Sequence, residues 1–579
     1  MDSLTLPFPE YRPDVFDRNA KLTRFLQNAV PRGDGFGPWF DLTRYTALLP
    51  SACRGAYLSR SLTDGTLRLF AGTATKLYLL DNTLLTWTDV SKSGGTYGSL
   101  DADAVWSFAQ FGNRVIASQR NDVMQSFVIG SSSAFANLAG SPPQAGFISV
   151  FGSFLFACDI LSSPNRVQWC SIGNPTSWTG SLADFQDMPD GGRVRRVVEA
   201  SNLVGFIVQE QAVRRLVYSA GSDTTFQIEK LRTDLGILAP NSLVTSGGAA
   251  YFASTKGFVQ LALDGSANFI GEERVDRTFL GRHTSQAPQD VRNLACDPSA
   301  LGLVFASADP ARNLIMWAYK TVDGTTGLVN KALLYHVSGS KWGIVTISAE
   351  YVMTAARPGL TLEALDAIAP GAQTITGAAN NGSGKVRLTV GATSGWTTGD
   401  TKTISGVGGT TEANGTWQIT VIDGTHIDLP AVSYANAYTS GGIVGGSIDL
   451  LSFSLDSVAT ASLPGLAAFD SSHGLGFYEG SALEALIYTT ERELSGGEVI
   501  EVNNVRPMTD ADAAYCCTIT RDTYRGEATV NTESEMDDHG DCPVLDAGFL
   551  VRARLRIPAG AAWNFASGVT IEAGSGAEQ

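Results

Sequence analysis

Trp106-Ser107-Phe108-Ala109-Gln110-Phe111-Gly112-Asn113-Arg114-Val115-Ile116-Ala117-Ser118 is followed forty positions later by Gly146-Phe147-Ile148-Ser149-Val150-Phe151-Gly152-Ser153-Phe154-Leu155-Phe156-Ala157-Cys158. Each stretch reads as a short strand, a tight Gly-containing turn and a second strand. Weaker versions recur at residues 197–208, 243–253 and 293–306. Short strands repeating every 40–50 residues or so are the pattern of β-propeller blades, small sheets that each pack on the next. The repeats therefore predict an all-β, irregular six-bladed propeller. Hairpin turns are marked by Asp64-Gly65, Asp190-Gly191, Asp264-Gly265 and Asp323-Gly324. Trp87, Trp178 and Trp342 fall late in repeats, where a large ring can fill the wedge between blades.

Working outward, residues 1–45 read as an N-terminal arm rich in Pro and Gly, with a short helix expected over residues 17–28. Blades are expected over 46–366. Residues 367–446 keep strand alternation but are rich in Thr, Gly, Ser and Asn, and predict an inserted small β-sandwich or barrel. Residues 447–494 read as a return to the propeller. Residues 495–579 read as a C-terminal β-rich platform ending in a long strand over 549–557.

With 44% hydrophobic and 17% charged residues the chain is globular. A net charge of −16 argues against a protein that grips nucleic acid through a dominant basic surface, because basic contacts carry that affinity. It leaves room for one that nucleic acid passes without sticking. The seven cysteines (Cys53, Cys158, Cys170, Cys296, Cys516, Cys517 and Cys542) form no CxxC pair and read as buried thiols made in a reducing compartment. Residues 1–10 carry neither a basic region nor an apolar stretch, so no secretory signal is expected. No apolar run approaches the roughly 18 residues of a membrane helix, and no stable membrane insertion is expected.

Catalytic motifs are missing from the sequence. Asn381-Gly382-Ser383-Gly384-Lys385-Val386 looks like a phosphate loop only in part, because Val386 stands where Ser or Thr is needed and a strand follows instead of a helix. Ser61-Leu62-Thr63-Asp64-Gly65-Thr66 is better read as a hairpin turn than as an Asp-box. His283, His336, His426, His473 and His539 lie outside metal-ligand spacing of one another. The acidic loop 533–541 is the best cation candidate, weighed against a partner contact and plain solvation. Arg552, Arg554 and Arg556 alternate with apolar residues, which puts three guanidiniums on one face of a strand. A DNA-facing stripe is one reading of them; a solvated face, or one pairing with an acidic neighbour subunit, is the blander one. No catalytic, cofactor-binding or metal-binding residue is assigned, no cofactor is implied, and the chain reads as a non-enzyme.

Several stretches, in order, resemble the tail nozzle (tail hub, packaged-DNA stabilisation) proteins of short-tailed bacteriophages. The text Asn28-Ala29-Val30-Pro31-Arg32-Gly33-Asp34-Gly35-Phe36-Gly37-Pro38 is similar to their opening. Residues 70–78, 106–117, 164–171, 176–178 and 256–258 resemble their blades, and residues 552–563 with 566–569 resemble their ending. The match spans nearly all of the chain except the insert, which is similar to small β-modules of phage tail proteins.

The resemblance implies a virion protein of the tail, made in the host cytoplasm. It implies a homohexameric ring below the portal and adaptor proteins, contacting tail fibres or a needle or plug protein. Such a ring holds packaged DNA and provides the channel for its ejection, with no sequence-specific binding. Six copies at −16 would total −96, so the channel need not be sticky. Two other classes stay open from the residues: a glycan-binding or glycan-cleaving propeller, and a cytoplasmic propeller scaffold.

Overall fold

The computed structural model describes all residues except 1, 17, 19, 181, 202, 220, 222–224, 358–370, 447–462, 495–498 and 576–579. Among the described residues 48 strands stand against two one-turn α-helices, Asp276–Phe279 and Gln289–Asn293. Six discrete four-stranded sheets form the blades of a β-propeller. Five of them follow one another at residues 56–89, 107–137, 145–187, 194–232 and 244–269. The sixth is assembled from Tyr351–Ala355, Gly465–Phe469, Gly474–Ala482 and the N-terminal strand Phe40–Leu48. Between the fifth and sixth lies one further four-stranded meander, residues 305–349, whose first strand Phe305–Asp309 packs on the first strands of both neighbours. It is not a free blade. Its outer strand Lys341–Ala349 runs on through the hairpin Ala29–Arg32 and Gly35–Pro38 into the C-terminal sheet.

The blade hairpins form because the turns permit them. Phe111 pairs with Arg114 across Gly112-Asn113, and Phe151 with Phe154 across Gly152-Ser153. Gly112 and Gly152 hold φ at +61° and +55°, the left-handed region that two-residue hairpin turns require. Each gap between sheets has its own apolar core. Trp178 fills the layer between the second and third blades. Trp87 meets Phe469 at 5.8 Å between the first and sixth. Trp342 lies 5.2 Å from Phe258 of the fifth blade. The tryptophan wedges expected from the sequence are thus all in place.

Four details depart from the sequence reading. The repeat placed at 293–306 is not a hairpin: Asp297 caps a 3-10 turn at Pro298–Leu303, and the strands begin at Phe305. Asp190-Gly191 also sits in a 3-10 turn, Pro189–Gly191, leading into the fourth blade. The described part of 17–28 holds no helix, since Leu26–Gln27 is a strand and Asp17 lies outside the described residues. Ala485–Tyr488, read as propeller, pairs with Leu550–Ile557 in the platform. At Leu26–Gln27 and Ala485–Tyr488 the local reading is overridden by long-range pairing.

The platform is a sandwich. One layer continues the ten-stranded sheet through Ile500–Thr509, Cys542–Gly548 and Ala566–Ser575, with Asp2–Pro7 alongside. The other holds Leu26–Gln27, Ala485–Tyr488, Leu550–Ile557 and Tyr515–Arg521. Val502, Cys516, Val551, Leu555, Val569 and Ile571 are buried in one cluster with Phe258, Trp317 and Trp342 of the propeller. Propeller and platform therefore share a core. Among the described residues no helix is long and apolar enough to cross a membrane.

The insert is a small β-unit of seven strands that bends about Gln373–Asn380, which pairs with both Lys385–Val390 and Ile443–Val444. Its own core contains Val386, Leu388, Ile404, Ile427 and Leu429. The joins expected at 366/367 and 446/447 run into segments outside the described residues. Gln373 pairs with Val444, so entry and exit lie side by side. Replacing residues 373–444 by a short Gly-Ser linker is accordingly expected to leave the melting temperature of the remainder within a few degrees. A collapse of the remainder on calorimetry would show that the insert supports the propeller.

Candidate functional site

Antiparallel pairing brings the starts of the first strands and the ends of the second strands to one face of the propeller. There the entry loops converge on a cavity of about 280 Å³. Ala104 and Val105 lead into the second blade, Arg120 follows its second strand, and Gly146 opens the third blade. Asp159 ends the second strand of the third blade, Arg193 and Arg195 open the fourth, and Asn241 and Gly302 come from the next two entries. A volume this small suits a ligand of about one ring, since drug-sized sites begin near 300 Å³.

One wall is a fixed ionic lattice. Asp159, buried and at φ +52°, accepts from Arg193 Nε at 3.0 Å and from Arg195 Nη1 at 3.4 Å. Arg195 Nη2 also pairs with Glu210 at 2.9 Å, and the Arg193 amide donates to Glu210 at 3.2 Å. At Gly146 a Cβ would come within 2.9 Å of the Asp159 carboxylate, so a larger residue there would push that carboxylate aside. Beneath lies Arg196, 4.2 Å over the Phe147 ring and donating to the Pro240 carbonyl and the Asn241 side chain. Burial lowers its pKa to about 10, so it stays charged at neutral pH. Arg54 does not line the cavity but donates to the carbonyls of Asp101, Ala102 and Ala104, and burial lowers its pKa too.

Arg120 is different. It makes no hydrogen bond or ion pair with another described residue, and its Nε is buried without an acceptor. A buried donor left unpaired costs about 1–3 kcal/mol, more when charged. Asp101 and Asp103 share the lining with it.

A larger groove of about 670 Å³ lies between the outer strands of the third and fourth blades. Its charges are already matched: Arg166 with Asp187 at 2.7 Å, and Arg214 and Lys230 both with Asp190. It leaves no guanidinium seeking an acceptor, which is what distinguishes the mouth.

The features singled out in the sequence do not gather at the mouth. Residues 381–386 form a hairpin turn whose amides are taken by Asn side chains: Asn380 Oδ1 accepts from Gly382 and Gly384, and Asn381 Oδ1 from Ser383 and Lys385. No amide there is left to cradle a phosphate. In 61–66, Asp64 accepts from Thr66 N at 3.0 Å, as a hairpin turn does. The histidines are spread over the chain, with His283 beside Asp14, His426 beside Asp423 and His473 beside Glu350. Among the described residues no group of three His, Cys, Asp or Glu side chains could hold a metal. All seven cysteines are free and buried.

The arginine stripe and the acidic loop meet each other. Glu533 takes Arg554 at 2.8 Å and Arg556 at 2.8 Å, and Glu484 reaches Arg556 at 3.5 Å. Arg552 stacks on Phe25 at 5.0 Å. Asp541 pairs with Arg506 at 2.8 Å, and Asp537 closes its own turn on His539 and Asp541. The acidic partners of the stripe are thus in this same chain and not in a neighbouring subunit.

No family model matches the chain, and no curated protein matches it either. Among solved structures it is similar to YCF48 bound to D1 peptide, at 12% identity and a TM-score of 0.30 over 53% of this chain and 87% of that one. It is also similar to the N-terminal domain of Nup159, at 12% identity and a TM-score of 0.31 over 63% and 95%. A third is the extracellular domain of a one-component system from B. thetaiotaomicron, at 10% identity and a TM-score of 0.30 over 65% of this chain. The chain spans 44% of that protein. Such likeness speaks to the fold alone. The class is β-propeller, and it stands on sheet order and the cores between sheets.

Proposed function

We propose that this chain is a structural virion protein that forms the tail nozzle of a short-tailed bacteriophage. In this reading six copies close into a ring below the portal and adaptor, retain packaged DNA and give it a channel on ejection, with no enzymatic step. The observation that carries the reading is where the family-like texts lie in the fold. The opening text is the hairpin Ala29–Arg32 and Gly35–Pro38, and the ending holds residues 552–557 of the strand Leu550–Ile557 and the start of Ala566–Ser575. More than 500 positions apart, they join at Phe36 and Ala566 in the sheet that ties propeller to platform. Other matched texts sit at joints between blades, as with Trp178 and Phe258.

Charge supports the same role. The three arginines of the ending face this chain's own glutamates or an aromatic ring, so they do not form an open basic strip on a chain of net −16. Rings of this kind close by heterologous contacts that return on themselves. The deciding experiment labels intact phage particles with an antibody to this chain. Label at the distal end of the tail is the expected result; particles free of the protein would overturn the reading and favour a glycan-directed or scaffolding propeller.

A further inference from the structure

We infer that the cavity at the propeller mouth binds a small polyhydroxylated carboxylate, a sugar acid, with Arg120 taking its carboxylate. The inference is separate from the ring reading and concerns the single chain. Three observations lead to it. Arg120 lines the cavity, and no described residue accepts from its guanidinium. Asp101 and Asp103 add carboxylates to the same lining. The lining and the groups bonded to it hold one more guanidinium than carboxylate: Arg54, Arg120, Arg193, Arg195 and Arg196 against Asp101, Asp103, Asp159 and Glu210.

Each simpler ligand leaves something unmet. A bare anion would satisfy Arg120 but brings no donor for Asp103 or for the second oxygen of Asp101, whose Oδ1 already accepts from Asn121 Nδ2 at 3.3 Å. A neutral sugar would donate hydroxyls to those carboxylates and offer its oxygens to the guanidinium, but it brings no negative charge to balance it. A zwitterion carries no net charge to balance the excess of one. A sugar acid carries one negative charge and several hydroxyl donors on a single ring, which matches both the chemistry and the volume of about 280 Å³. Guanidinium pairs with carboxylate through parallel N–H donors, the geometry that makes arginine selective for such groups. Arg193 and Arg195 are held by Asp159 and Glu210, so the wall beside Arg120 is fixed before a ligand arrives.

The test is calorimetric titration of the purified full chain with glucuronate, its methyl ester, glucose and acetate. Saturable binding of glucuronate is expected, with the ester, glucose and acetate each at least tenfold weaker. Arg120→Met is expected to weaken glucuronate binding about 10–100-fold, the worth of a charged hydrogen bond. Because Arg120 bonds to no described residue and its buried donor is unpaired, the variant should melt at or above the parent's temperature. The ligand series on the unaltered chain decides the matter even if the variant misfolds. No saturable glucuronate binding, equal binding of the ester, or binding unaffected by Arg120→Met would each overturn the assignment.

Discussion

Replacing Trp342 by alanine is expected to remove about 3–5 kcal/mol of stability, the usual cost of cutting a buried large aromatic side chain to alanine. The indole is 0% exposed and packs on Trp317 at 5.5 Å, Phe258 at 5.2 Å and Tyr335 at 5.0 Å. Trp317 and Tyr335 lie on the same sheet as Trp342 and Phe258 on the fifth blade, so the hole cannot close by moving one of them. The Nε1 hydrogen also bonds the Ile270 carbonyl at 2.9 Å, and losing that partner adds about 1 kcal/mol. Trp342→Phe keeps most of the packing and should cost roughly 1–2 kcal/mol. Because the cluster joins the fifth blade, the shared meander and the platform, the alanine variant should lower the urea midpoint seen by both circular dichroism and tryptophan fluorescence. A loss below about 1 kcal/mol would mean that this cluster is not what couples propeller to platform.

Much of the propeller was legible because a strand buried on both faces and a Gly turn are local signals. Phe154–Ile160 is buried at every position, and its text Phe-Leu-Phe-Ala-Cys-Asp-Ile is almost wholly apolar. The same rule misled at 293–306, where the apolar run Leu301-Gly302-Leu303-Val304-Phe305-Ala306 reads as strand, while Asp297 and Pro298 turn its first half into a 3-10 segment. The one-faced character of Arg552, Arg554 and Arg556 was visible from alternation. Their partners Glu533 and Glu484 were not, since nothing local links positions so far apart. The mouth was missed for a related reason. Arg120 is one charged residue in a turn, with no period around it, and its cavity is assembled from the entries of several sheets. Sites built from convergent loops leave no contiguous motif.

Deleting residues 1–48 is expected to be more damaging still, because the arm supplies strands to sheets that are otherwise incomplete. Phe40–Leu48 is the outer strand of the sixth blade, paired along Gly474–Ala482. Without it that strand becomes an open edge, and exposed edges recruit other chains. Trp39, 0% exposed and 4.6 Å from Tyr478, would be lost, as would Phe8, Tyr11 and Phe36 from the core shared with the platform. The bridge from Lys341–Ala349 to Ala566–Ser575 would go as well, since the hairpin between them belongs to the arm. Several buried aromatics at about 3–5 kcal/mol each exceed the 5–15 kcal/mol that holds a typical domain. The truncated chain should therefore fall into aggregates on size-exclusion chromatography. Arg44→Ala, by contrast, removes only the ion pair to Asp470, whose arginine side chain is 47% exposed, and should cost under about 1 kcal/mol. The pair of variants separates two explanations of how the ring is closed. If the truncated protein stayed monomeric with an unchanged melting temperature, the propeller would be closed by side-chain contacts and not by the strand from the arm.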